Sequence, residues 1–243
     1  MPSSVAVYPI NSKHWSKRSD TFTGNAGLFR PDNVTEDDVG RVTLVVRQEE
    51  LGVRRYSAGA ITSNADFSYG RFEATFQASG VPRTVTGFFL HRISPHQEID
   101  IEIPGNAPNR LIVNVFYNPG IEGSRFDYGY RGSPIHIDLG FDASSKMHKY
   151  MIEWSPHRIS WFVDDKLVHQ RALWEPTPIP HLPMKLHLNA WPPRSTRLAG
   201  RLSARHLPAN VQIDSIRLGP CTSMSWDPRT NASINPQSSV KYK

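Results

Sequence analysis

The sequence predicts an all-β fold, an antiparallel sandwich or barrel, on three observations. Short strand-like runs recur along the chain, the 20 prolines and 16 glycines fall mainly between them, and no long amphipathic helical pattern interrupts them. With 243 residues, 38% of them hydrophobic, the chain can enclose one sizeable core, and all-β domains of this size are commonly undivided.

The first element is the β-branched run Val42-Thr43-Leu44-Val45-Val46. Residues 69–78 (YGRFEATFQA) alternate: Phe72, Ala74, Phe76 and Ala78 share one side, and Arg71, Glu73, Thr75 and Gln77 the other. Such alternation marks a strand, because successive side chains point to opposite faces. TVTGFFLHRI (84–93), the run that begins at Glu98, and LIVNVFY (111–117) follow. Residues 149–170 read as two hairpins, turned at Ser155-Pro156-His157 and at Asp164-Asp165. MKLHLNAW (184–191) and VQIDSIRLG (211–219) complete the set. EPTPIPHLP (175–183) is expected to be a surface connection. The Ser/Asn/Pro-rich stretch from Thr222 to Lys243 should drape over the surface or be partly disordered. No internal repeat is found.

A formal charge of +6 and a pI near 9.5 raise the question of an acidic polymer. The basic residues are scattered, however (Arg54-Arg55, Lys146, Lys149, Arg194, Arg197, Arg201, Arg205), and no nucleic-acid motif is present. Cys221 stands alone, which excludes an intrachain disulfide and a cysteine-based zinc site. No run of 18 apolar residues is available to span a membrane, and no secretory signal pattern opens the chain.

Residues 96–105, HQEIDIEIPG, carry the chemistry. Glu98, Asp100 and Glu102 alternate with Ile99, Ile101 and Ile103, so a strand here would have an all-isoleucine face and an all-acid face. Acids are poor strand formers and repel one another, so the pattern costs stability. Three readings account for it. An edge strand uses charge to block pairing. A calcium ion takes carboxylate oxygens, although in-line acids on a flat strand rarely wrap one ion. Two carboxyls flanking a glycosidic bond, one of them protonated, are the equipment of glycoside hydrolysis. On a strand, i and i+4 start about 13 Å apart at roughly 3.3 Å per residue, so Glu98 and Glu102 must lean together, as a concave sheet allows. Asp100 between them perturbs both neighbours, orients Glu98, and leaves Glu102 to serve as acid.

A sugar site also needs aromatic platforms and polar partners. Phe89 with His91, Asn114 with Phe116, and Asn189 with Trp191 are each spaced by two, so each pair shares a face. Trp154 and Trp161 read as core, whereas Trp191 before Pro192-Pro193 reads as a strand end at a cleft rim.

These residues together resemble glycoside hydrolase family 16, the group of lichenases, laminarinases and xyloglucan transglycosylases. Its hallmark E-x-D-x-E stands here as Glu98-Ile-Asp-Ile-Glu102. The resemblance extends to residues 63–78, 139–169 and 186–191, and covers most of residues 20–219. It implies a β-jelly roll sandwich of two curved antiparallel sheets with a concave substrate groove. It implies Glu98 as nucleophile, Asp100 as assistant and Glu102 as general acid/base, with retention of configuration. By position Phe89, His91, Asn114, Phe116, Asn189 and Trp191 match cleft residues.

Three positions depart from the family: His96 replaces a tryptophan of the cleft, Thr62 stands where lichenases have an arginine, and Ile103-Pro104-Gly105 replaces Phe-Leu-Gly. Residues 115–144 carry an insertion rich in Tyr and Arg. The expectation is a monomeric retaining endo-glycosidase of a β-glucan, secreted or periplasmic. Residues 1–221 form its catalytic domain and 222–243 a polar tail. It needs no cofactor, the resemblance admitting a structural calcium ion, and its partner is a polysaccharide rather than nucleic acid or membrane. The alternatives are a depolymerase of an acidic bacterial exopolysaccharide, a transglycosylase, and a non-catalytic lectin-like jelly roll.

Overall fold

A computed structural model describes residues 6–7, 13–118, 134–173, 175, 177–201, 204–221, 225–227 and 232–234. The chain begins with short strands: β1 (Ala6–Val7), β2 (Trp15–Lys17), β3 (Gly27–Phe29) and β4 (Val34–Glu36). Longer ones follow in β5 (Val42–Gln48), β6 (Tyr56–Ser63), β7 (Gly70–Gln77), β8 (Val85–Arg92), β9 (Gln97–Pro104) and β10 (Arg110–Tyr117). Next come β11 (Ile135–Asp138), β12 (His148–Ser155), β13 (Arg158–Val163), β14 (Lys166–Ala172) and β15 (Lys185–Trp191). A single helical turn, α1 (Thr196–Ala199), precedes β16 (Ala209–Gly219), and β17 (Ser225–Asp227) pairs with β18 (Ala232–Ile234).

Most strands join one curved path, β11-β10-β9-β8-β15-β6-β5-β16-β7-β12-β13-β14. Every pairing along it is antiparallel; β3, which lies off the path, runs parallel to β6. The path turns a corner between β5 and β6, where only Arg47↔Ser57 and Gln48↔Tyr56 are paired. Two layers result, β11-β10-β9-β8-β15-β6 and β5-β16-β7-β12-β13-β14, which is the sandwich the strand pattern predicts and the jelly-roll arrangement the family resemblance implies.

The core lies between the layers. Phe88, Leu90, Ile99, Ile101, Ile103, Val113, Val115, Leu186 and Leu188 face inward from one side. Phe72, Ala74, Phe76, Tyr150, Ile152, Trp154 and Trp161 meet them from the other. Ile99, Ile101 and Ile103 have no exposed surface. Trp154 and Trp161 are core, as expected, and each finds a carbonyl for its indole N–H: Pro180 at 2.8 Å and Asp100 at 3.0 Å.

One expectation needs correction, and one alternative falls away. Residues 175–183 connect elements, but Thr177, Pro178, Ile179 and Pro180 are buried rather than on the surface. The segment packs down because its backbone finds partners. The N–H groups of His181 and Leu182 both donate to Oε1 of the fully buried Gln97, at 2.9 and 3.0 Å, and so anchor the start of β9. The edge-strand reading of the acidic run also fails, because β9 is paired on both sides, by β8 and by β10. Most of the expected tail, and residues 119–133 of the insertion, lie outside the described residues.

Candidate active site

The register of the ladders assembles the site in rows across the sheet face away from the core. Asp100 lies opposite Phe89 on β8 and Asn114 on β10; Phe89 in turn lies opposite His187 on β15, and His187 opposite Thr62 on β6. Glu98 lies between His91 and Phe116, with Lys185 beyond His91. Glu102 lies between Gly87 and Ile112, with Asn189 beyond Gly87. A Cβ at position 87 would collide with Oδ1 of Asn189, so glycine leaves that amide room to stand in the row of Glu102. Oδ1 of Asn189 is buried without a hydrogen-bond partner among the described residues.

Phe89, His91, Glu98, Asp100, Glu102, Asn114, Phe116, Asn189 and Trp191 line one cleft. His96 joins them through its Nε2, hydrogen-bonded to Oε2 of Glu98 at 3.0 Å, with its ring stacked on Phe116 at 5.0 Å. All ten residues singled out in the sequence therefore fall in one place. Sequence reasoning missed Arg18, Phe22 and Leu198, which also line the cleft. Arg18 grips Asp20 through two hydrogen bonds of 2.9 and 2.6 Å and lies over the Phe29 ring. Phe22 meets Trp191 edge-on at 5.0 Å and fixes the rim. None of the three sits in a periodic run, so no pattern signalled them. His187 was missed as well: it stacks on Phe89 at 4.9 Å, and burial, His91, Arg18 and Lys185 all hold it neutral.

The electrostatics separate the acids. Burial, the negative charges of Glu98 and Glu102, and a hydrogen bond with the Glu98 carboxyl push Asp100 well above the usual carboxylate range. Arg171 opposes this, while burial lowers its own pKa to about 10. Burial first, and the Glu98 charge second, raise Glu102 from 4.5 to about 7. The trio therefore carries protons near neutral pH and can both accept and deliver one. From the opposite layer, the Trp161 indole holds the backbone of Asp100 at the centre of the trio.

A stability effect follows from the raised Glu102. Unfolded, this carboxyl ionises near 4.5, and folded near 7, so stability is lost as pH rises between those values. Glu102→Gln cannot ionise. It should match the wild type near pH 4 and exceed it at pH 8 by up to about 3 kcal/mol, measured by urea unfolding. A variant weakened equally at both pH values would contradict the burial argument.

Among the described residues, one group of three metal-ligating side chains has its ligand atoms within 4.8 Å of one another: His91, His96 and Glu98. Imidazole does not suit calcium. The described residues bring no three carboxylate oxygens that close together. No described helix is long and apolar enough to cross a membrane.

The family model of glycosyl hydrolases family 16 matches residues 27–207. A beta-glucanase of Brevibacillus brevis is 32% identical over 191 residues, covering 75% of this chain and 68% of the relative. One from Acetivibrio thermocellus is 31% identical over 195 residues, covering 77% of this chain. The chain spans about half of that relative's length, 54%. Among solved structures, a native glycosidic hydrolase superposes with a TM-score of 0.76 at 26% identity, covering 91% of this chain and 98% of the other. The beta-glucanase of Bacillus licheniformis superposes with a TM-score of 0.75 at 22% identity, over 90% and 99%, a likeness of fold.

Proposed function

Because the chain belongs to glycosyl hydrolases family 16, we propose that it cuts internal bonds of a β-glucan, with 1,3 or mixed 1,3-1,4 linkages, by double displacement with retention. The observation that supports this reading most is an asymmetry along one strand face. Glu102 is held protonated to about 7, while Glu98, four residues away, is hydrogen-bonded by His96 and Asp100.

In this reading Glu98 attacks the anomeric carbon as Glu102 gives its proton to the departing glycosidic oxygen. The products are a glycosyl ester on Glu98 and an ionised Glu102. Esterification erases the Glu98 charge, which is one of the two causes raising Glu102. The pKa of Glu102 then falls, which suits its second task of taking a proton from the incoming water. Asp100 donates to Glu98 and orients it. Phe89, Phe116 and Trp191 offer faces to sugar rings, and His91, His96, Asn114 and Asn189 offer polar partners to hydroxyls.

Residues 1–221 are taken as the catalytic unit, and the chain is taken to act as a monomer. A polymeric substrate cannot enter a cell, which favours action outside the cytoplasm. A panel of β-1,3, mixed-linkage, β-1,4 and anionic polysaccharides, with reducing-end detection and product sizing, tests the substrate. Short oligosaccharides are expected from the first two. Cleavage confined to anionic polymers would move the substrate class. Binding without cleavage, unchanged in Glu98→Gln, would make the protein a lectin.

A further inference from the structure

Three side chains at one end of the cleft converge more closely than sugar binding requires. His91 and Glu98 are directly opposed across the β8–β9 ladder, where side chains start about 5 Å apart. His96 precedes Glu98 by two residues. Its ring is fixed between the Phe116 face and the Glu98 carboxylate, 3.0 Å from Nε2. The His91 ring packs against both His96 and His187, with centroids 5.5 and 5.7 Å away. One nitrogen from each of His91 and His96 and one oxygen of Glu98 thus come within 4.8 Å of one another. Ligands bound to zinc at about 2.0–2.1 Å stand about 3.3 Å apart in a tetrahedron and about 4.2 Å apart when opposed. Side-chain rotations that bring the ligand atoms together by up to about 1.5 Å close the difference.

We propose that His91, His96 and Glu98 form a binding site for a transition-metal dication of the zinc or copper(II) class, and that an ion bound there withdraws Glu98 from the reaction and inhibits the enzyme reversibly. Two imidazoles and a carboxylate make a three-ligand set with a coordination position left for water. Imidazole nitrogen selects such ions over calcium and magnesium, which take oxygen. Two of the ligands sit on paired strands and the third two residues before Glu98, so little ordering is required on binding. The inhibition rests on Glu98 being the nucleophile; the binding does not.

The test is a titration of untagged protein with cobalt(II) in the absence of any glycan, followed by zinc as competitor. One cobalt per chain should bind, with a visible d–d band that one equivalent of zinc removes. His91→Gln and His96→Gln, each checked for a native near-ultraviolet dichroism spectrum, should weaken binding at least about tenfold. His206→Gln, at an exposed position remote in sequence from the cleft strands, should leave it unchanged. Wild-type hydrolysis should fall in step with occupancy and return when a chelator removes the ion. No saturable one-to-one band, or a band that both glutamine variants leave unaltered, overturns the site. A filled site with undiminished hydrolysis leaves the binding in place and overturns the role of Glu98.

Discussion

Glu98→Ala should lower kcat on β-glucan by on the order of 10⁴-fold or more, the scale seen when a covalent nucleophile is removed. The variant keeps Glu102, the proposed acid, and should gain a small vacancy beside His91 and Phe116, the neighbours of Glu98 in the ladders. Azide or formate can enter that space and attack the anomeric carbon of an activated glycoside from the face Glu98 served. Turnover should return, and the product should have inverted configuration. The measurement is the rate with and without azide, with the anomeric configuration read by NMR. A rescued product of retained configuration would contradict the assignment.

Glu102→Ala has the second largest effect. Loss of a positioned general acid should cost about 10²–10⁴-fold on natural glucan, whose leaving oxygen needs a proton. An aryl glycoside with a good leaving group needs none, so its glycosylation step should be far less affected. Azide should accelerate this variant too, by intercepting the ester on Glu98, and give a product of retained configuration. The pH profile supplies an independent check. Wild-type activity should fall on the alkaline side as pH passes about 7, where half-buried Glu102, the proposed acid, loses its proton. In Glu102→Ala that limb should vanish. A limb that survives would assign the acid to another group.

Much of this site was legible because strand alternation and active-site chemistry coincide in one run. Ile99, Ile101 and Ile103 needed burial, which forced Glu98, Asp100 and Glu102 onto the open face. The paired spacings on β8, β10 and β15 were equally readable, since side chains two residues apart share a face. Other parts left no such trace. Strand β6 (YSAGAITS) is rich in small residues and buried almost throughout, so it shows neither alternation nor strong β-propensity. Strands β2 and β3 are three residues long and exist because they pair with β6. That same N-terminal segment carries Arg18 and Phe22 into the cleft, which tertiary pairing alone decides. The burial of residues 177–180 likewise depends on Gln97 and Trp154, distant partners that a proline-rich composition cannot announce.

The central claim is a division of labour between two glutamates four residues apart on one strand, one forming a covalent ester and the other moving the proton. The measurement that tests it most directly is proton NMR of the wild-type enzyme on a β-glucan, recorded before the new reducing ends mutarotate. Double displacement predicts that the β-anomer appears first and the α-anomer grows in later. An α-anomer formed first would mean a single displacement by water, and would contradict the role of Glu98 as nucleophile.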